Sequence, residues 1–442
     1  MTPALRELSA CFEGIVPALV ATAAADGMPN VSYLSQVTMV DDDHIGLTNQ
    51  FLTKTSANLA ENPQATVLLV DGCTCAQYLL GVRYVRHEES GALFGRMAAQ
   101  IEAGSALVGM AGIMRLRRID VFKVDTIEAV PFTVSLTDAP PRKRASLEAV
   151  ARVVQAIGAQ ADVGSIVDAT LRGLAAELDI GHALILQLMH ERLVTVGSHG
   201  YPAGGIGSEV PIEEGLIGIA DKSAQVIRIN ELSRAFRFSQ AVSASAADEN
   251  RSRSIRLPGL PDALSQVAVP MLVHGQVQGV LFAESARRMA FDRDDEAALV
   301  LVAGQAAAAI WLAESLVSDD GAVTPAASAQ AGGGPGLKVQ YYRVDDSIFF
   351  DGNYVIKGIA GRLLYYMLEQ YVTVGTVEFS NRALRLDTSL RLPELKTNLE
   401  TRLLLLRRRL DEKDFPVRLI QLGRGRLGME CRCIPELTVI EG

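Results

Sequence analysis

Apolar and polar positions fall into three blocks, each with its own pattern. In the first, Ile15–Thr22 and Met28–Met39 are apolar, β-prone runs joined by the turn-rich AADGMPN, and they predict a hairpin. Further strands are expected at His44–Thr48, Ala65–Val70, Tyr78–Arg86 and Ile113–Val124, with helices over Lys54–Glu61 and Gly91–Ala103. Together they predict a six-stranded antiparallel barrel. The second block opens on amphipathic helices Leu147–Gly158 and Val163–Leu178. Strands follow at Ala183–Met189, Leu193–Ser198, Ser265–Val273 and Gln276–Glu284, and the helix Asp294–Leu316 ends the block. In the third, a short strand pair within Leu337–Phe350 precedes three helices and a hairpin. Leu399, Leu403, Leu406 and Leu410 share one face of the third helix.

The joints are compositional. Ser318–Gly336, rich in Ala, Gly and Pro without an apolar period, predicts a flexible linker, and the double proline near Asp138–Lys143 breaks any helix there. The expected domains are residues 1–138, 145–317 and 337–442, with linker 318–336. At 442 residues, 49% hydrophobic and 21% charged, the chain has material for several cores. The net charge of −9 argues against a surface that coats nucleic acid throughout, but Leu337–Gly442 holds 17 Lys/Arg against 14 Asp/Glu, so it carries +3 and the remainder −12.

No basic segment followed by an apolar run and cleavage site opens the chain, and no stretch of roughly 20 apolar residues is expected, so the reading is cytoplasmic without membrane attachment. Cys11, Cys73, Cys75, Cys431 and Cys433 are too few for a disulfide framework. The two C-x-C pairs read as alternating strand residues rather than metal ligands.

The runs LTNQFLTKTSANLAENPQATVLLVD, LGVRYVRHEESGALFGRM and GMAGIMRLRRIDVFKV resemble the pyridoxamine 5′-phosphate oxidase-like split barrels, in particular their flavin-nucleotide-binding branch, over about Phe12 to Val130. The resemblance implies a homodimer holding FMN at the subunit interface, with its phosphate just after the third strand, at Asn49, Gln50, Lys54, Thr55 and Ser56. Lys54 offers a counter-charge, and Thr55 and Ser56 offer hydroxyls and N–H groups at a helix start. Ser35 and Gln36 would face the ring. The plain alternative is a solvated Lys54 and an N-capping Thr55. An empty, structural barrel is the second reading, and haem or a deazaflavin stands behind FMN as the other candidate cofactor.

The run EEGLIGIADKSAQVIRINEL and its surroundings resemble a GAF domain, a fold that names no ligand by itself. With no cysteine in the block, a covalent bilin is disfavoured; His182, His190, His199 and His274 are conceivable haem ligands, although histidines near turns are more often surface residues. The loop Phe236–Arg256 has the length of a lid. The helix AALVLVAGQAAAAIWLAESLV suits a parallel dimer contact reported by Trp311, or burial on its own domain.

The last block resembles the winged helix-turn-helix output domains of response regulators: LKTNLETRLLLLRRRLDEKD matches the recognition helix and VRLIQLGRGRLGMEC the wing. That resemblance implies DNA contacts from Lys396, Thr397, Arg402, Arg407 and Arg408 on the helix and Arg424 and Arg426 on the wing. Leu404 and Leu405 depart from the pattern. They point away from the leucine stripe and are expected to be exposed unless thymine methyls or a protein partner cover them. The fold class is thus multidomain α+β: a split barrel, a GAF α/β domain and a winged helix. The expected function is a one-component transcription regulator responding to a small-molecule or redox signal, acting on DNA as a homodimer. The alternatives are a flavin-dependent oxidoreductase, for which no acid/base constellation or metal site stands out, and a protein-interaction scaffold.

Overall fold

The computed structural model describes residues 3–34, 36–107, 109–110, 112–131, 145–232, 253–316, 335–392, 399–423 and 425–441. A 3₁₀ helix, Leu5–Glu13, precedes β1 (Ala18–Ala23), β2 (Pro29–Leu34), β3 (Val37–Met39), β4 (His44–Asn49), α1 (Thr53–Glu61), β5 (Gln64–Val70), β6 (Gln77–Glu88), α2 (Ala92–Leu107) and β7 (Arg118–Ala129). These strands make one antiparallel sheet of seven, ordered β2-β1-β5-β6-β7-β4-β3. Its concave side buries Val20, Leu47, Val67, Leu69, Leu80, Val82 and Phe122 by simple alternation, and Leu5, Leu8 and Phe12 of the 3₁₀ helix join that cluster.

Two expectations need correction here. The run Met28–Met39 is not one strand: it breaks after Leu34, and Val37–Met39 leaves β1 to pair with β4, giving seven strands instead of six. The last strand begins at Arg118, after the turn through Gly112, instead of at Ile113.

The GAF-like block follows with α3 (Leu147–Gly158), α4 (Val163–Leu178), β8 (His182–Met189), β9 (Arg192–His199), β10 (Glu209–Pro211), α5 (Gly215–Ser223), β11 (Ile227–Ile229), β12 (Ser265–Val273), β13 (Gln276–Ser285) and α6 (Arg293–Leu316). Ser146 and Asp162 cap α3 and α4 through side-chain bonds to Ala149 N and Ser165 N. The six strands run β10-β9-β8-β13-β12-β11. Both faces are covered, which is why the strands read as continuous apolar runs. Ile185, Val196, Val267, Val269 and Leu281 face α3, α4 and α6. Leu184, Leu186, Val280 and Phe282 face α5 and, with it, Ala99 and Ala103 of α2 from the preceding block. The other side of α2 packs Leu93, Phe94 and Met97 on Ile119 and Val121 of the first sheet. One helix therefore serves two sheets.

Over Arg293–Ser315, α6 is long and apolar enough to cross a membrane, contrary to the expectation that no such stretch exists. One side of it, Leu299, Val302, Ala303, Ala306, Ala307 and Ile310, is buried in the GAF core, while Val300, Leu301 and Leu312 are exposed. Trp311 meets the edge of His274, with ring centroids 5.7 Å apart. The loop Phe236–Arg256 lies outside the described residues up to 252.

The last block comprises β14 (Gly336–Tyr342), β15 (Ser347–Phe350), β16 (Asn353–Ile356), α7 (Gly358–Val374), β17 (Glu378–Ser380), α8 (Asn381–Leu386), α9 (Leu399–Glu412), β18 (Val417–Gly423), β19 (Arg426–Cys431) and β20 (Ile434–Ile440). The expected strand pair is a four-stranded sheet, because β20 returns after the hairpin to lie parallel to β14, Val339 opposite Leu437. Strands β17, β19 and β18 form a second, three-stranded sheet. Leu399, Leu403, Leu406 and Leu410 are all buried, as their spacing requires.

Neither C-x-C pair lies within a strand. Cys73 and Cys75 lie in the turn between β5 and β6, Cys75 at φ 59°, while Cys431 ends β19 and Cys433 precedes β20, their Sγ atoms 3.3 Å apart. Among the described residues no three potential ligands group around a metal position.

Candidate functional site

Pairing of β4 with β7 sets Asn49 opposite Arg118 and Leu47 opposite Asp120, and this builds a polar cluster at the start of α1. The Asn49 amide donates to Asp120 Oδ2 (2.7 Å) and to Ser56 Oγ (3.0 Å), and its carbonyl accepts from Leu52 N (3.2 Å). Ser56 Oγ donates to Leu52 O (2.7 Å) and accepts from Arg118 Nη2 (2.9 Å), and Arg118 Nε lies 2.9 Å from buried Asp120. Thr55 faces the other way: Asn30 donates to its hydroxyl at 3.0 Å, and Ser32 shares a hydrogen bond of 3.0 Å with it. The helix N-cap is Leu52, not Thr55. Lys54 is exposed beside this cluster.

Gln36 and Gln50 belong to a different place. Thr48 joins their strands by donating to Gln36 O through both its N–H (3.2 Å) and its hydroxyl (2.9 Å). Both glutamines line a cleft of about 250 Å³ between the first sheet, α2 and the GAF sheet edge, together with Gln100, Met110, Met114, Arg228 and Asn230. Thus the structure brings Asn49 and Ser56 together, sets Gln36 and Gln50 in one cleft, and leaves Thr55 and Lys54 outside both groupings. Ser35 lies outside the described residues.

The cleft wall is a buried network that the sequence did not announce. Gln100 uses its carboxamide as a surrogate strand on edge strand β11, accepting from Arg228 N at 3.2 Å and donating to Arg228 O. The Arg228 guanidinium lies 3.0 Å from Glu13 and 3.2 Å from Glu296, and donates to Phe291 O at 2.8 Å. Asn230 donates to Glu13 at 2.7 Å. Burial pushes the Glu13 carboxyl above its ordinary value, while Arg228 and Asn230 pull it part of the way back. Arg96, which lines the neighbouring cavity with Glu13 and Arg228, is lowered chiefly by burial.

The candidate haem ligands are engaged separately. His182 meets Tyr201 edge-on (5.4 Å), His274 meets Trp311, and His190 sits in a hairpin turn at φ 61°.

At the C-terminal block, Leu404 and Leu405 are 5% and 3% exposed, which corrects the expectation of solvent-facing leucines. They do point away from their own domain's stripe; the GAF domain covers them. Arg408 Nη1 donates to Val196 O (2.7 Å), and its Nη2 donates to Gly164 O (3.2 Å) and to Asp168 Oδ1 (2.5 Å). Thr401 donates to Gln187 at 3.1 Å and to Glu314, and Gly205 N donates to Glu412 at 2.8 Å. Arg402 is buried with Nη2 3.5 Å from His190 Nδ1, and desolvation lowers its pKa to about 10. Arg407 is half-buried beside Gly164, and Arg426 pairs with Glu378 at 2.6 Å. Lys396, Thr397 and Arg424 lie outside the described residues.

The model of the pyridoxamine 5′-phosphate oxidase family matches residues 4–129, and that of the GAF domain matches residues 160–310. The chain joins a pyridoxamine 5′-phosphate oxidase-like domain to a GAF domain. Among solved structures, the GAF domain of an Acinetobacter phosphoenolpyruvate-protein phosphotransferase is similar at 21% identity, over 38% of this chain and 95% of its own, with a TM-score of 0.31. An FMN-binding protein from Syntrophomonas wolfei is similar at 20% identity, over 29% of this chain and 90% of its own, with a TM-score of 0.25. The free methionine-R-sulfoxide reductase of Neisseria meningitidis, in complex with its substrate, is similar at 16% identity, over 40% of this chain and 99% of its own, with a TM-score of 0.30. No curated protein matches the chain.

Proposed function

We propose that the protein is a one-component transcription regulator of the cytoplasm, which senses a small-molecule or redox signal through its first two domains and acts on DNA through a C-terminal winged helix. The observation that carries this reading is the build of α9. Its leucine stripe fastens it to its own domain, Arg402, Arg407 and Arg408 lie off that stripe, and a β18–β19 hairpin with Arg426 near its tip follows. Two copies would present paired helices to paired half-sites. Exposed apolar side chains suited to such pairing occur on the barrel, where Tyr33 is 76% exposed beside Val31, and along α6. The test is selection of genomic DNA fragments by the full chain. Enrichment of sequences with two related half-sites is expected, and no enrichment by the wild type or by a chain with α9 undocked overturns the reading. The apolar outer face of α9 supports a second reading, in which the domain binds only protein.

FMN is the cofactor that the barrel family suggests, and the residues suit parts of it. The carboxamides of Gln36 and Gln50 match the donor and acceptor edge of a flavin ring, and Met110 and Met114 supply adaptable apolar walls. At about 250 Å³ the cleft lies below the roughly 300–1,000 Å³ of a typical ligand pocket, so it takes the ring end and not a whole nucleotide. Lys54 and the hydroxyls at α1 are the proposed phosphate contacts. Lys54→Ala removes a charge-assisted contact of roughly 1.5–3 kcal/mol, so flavin absorbance after purification is expected to fall about tenfold or more with the fold intact. Full retention of the yellow colour removes the assignment.

A further inference from the structure

The GAF domain carries a seat for the outer face of α9, and it is lined with glycine. A Cβ on Gly164 would lie 2.8 Å from Arg407 Nη2 and 3.1 Å from Leu404 Cδ1, and one on Gly204 would lie 3.2 Å from Glu412 Oε1. Gly207, at φ +88°, approaches Leu405 to 3.7 Å at the same atom position. The seat lacks side chains where those of α9 land, so a Cβ at Gly164 or Gly204 would press directly on side chains of α9. Polar groups match as well: the Arg408 guanidinium is shared among Val196 O, Gly164 O and Asp168.

We propose that this seat is an interaction surface whose partner is the chain's own helix α9, and that it competes with DNA for the same face. The inference rests on the DNA-binding reading for its second half only. A helix with Leu404, Leu405 and Arg402 buried against another domain, and Arg408 half-buried and bonded to it, has no free face to enter a major groove. The docked state also carries a penalty that makes it reversible. Arg402 is buried, its Nε has no hydrogen-bond partner among the described residues, its Nη2 makes only a long approach to His190, and the charge of Glu314 offsets the burial only in part. Covalent connection offsets that penalty, since tethered partners meet at effective concentrations of about millimolar. A ligand that shifts α4, β9 or the 204–207 loop of the GAF domain releases α9, and, by linkage, DNA that captures α9 alters the affinity for that ligand.

Two variants open the seat without touching the DNA-reading face. Asp168→Lys places like charge beside Arg408 at a half-exposed position. Gly164→Leu fills the seat, where α9 supplies the two nearest atoms and Asp162 the third. Hydrogen exchange of the full-length wild type and variants is compared, with binding to duplex DNA at low salt. Amides of 399–412 are expected to exchange about tenfold faster or more in both variants, with the GAF strands unchanged and DNA binding tighter by roughly 5- to 150-fold. Unchanged protection of α9 in both variants, with the thermal transition preserved, overturns the seat. Lost protection without any gain in DNA affinity supports the seat and overturns the DNA-binding reading instead.

Discussion

Arg228→Ala is expected to destabilise the junction between the barrel and the GAF domain by about 3–5 kcal/mol at neutral pH, because it strips the compensating charge from a buried carboxylate. Glu13 lies beneath that guanidinium, held otherwise, among the described residues, by the Asn230 amide, with Glu296 adding like charge nearby. The size of the loss depends on pH in a defined direction. Glu13 already holds its proton more tightly folded than unfolded, so its contribution to stability is full below the ordinary carboxylate range and is lost as pH rises through the elevated value. Without Arg228 that value climbs further. The variant's deficit is therefore largest near neutrality and shrinks as acid neutralises Glu13. Urea unfolding followed by Trp311 fluorescence at several pH values measures this, and a deficit independent of pH counts against the account.

Gly361→Ala is expected to cost the C-terminal block about 3 kcal/mol, the upper end of ordinary overpacking. Gly361 lies in the first turn of α7, where an added Cβ would sit 2.0 Å from the carbonyl oxygen of Asp346. A backbone atom cannot swing aside, so α7 must lift from β15. Lifting it also strains the adjacent network in which Asp346 accepts from Arg362 and from Tyr341. Faster hydrogen exchange across 336–356 and 358–374, with the GAF peptides unaffected, is the expected signature. Wild-type exchange in both segments would show that the close approach is not needed.

Much of the architecture was legible because it is local. The leucine stripe of α9, the amphipathic helices α3 and α4 and the apolar strands that follow them all come from spacing and short-range chemistry. What escaped depends on pairing across the chain. Asn49 meets Asp120 only because β4 lies beside β7, and Gln100 meets Arg228 across 128 positions. The one sign of the first was the basic run before Asp120, and of the second there was none. Leu404 and Leu405 stood out in the sequence as exposed apolar side chains in need of cover, but nothing in their spacing says that the cover lies more than 200 residues upstream in the same molecule.

The double service of α2 sets the order in which the molecule can be made. Synthesis delivers Ala99 and Ala103 well before α5 and β11, the elements on which α2 packs, have left the ribosome. The first domain must therefore wait with part of a helix uncovered, while the second, if cut free at residue 145, would bare the sides of α5 and β11 on which α2 packs. The boundary drawn by composition is a joint in the chain but not a line along which the protein can be divided and remain soluble.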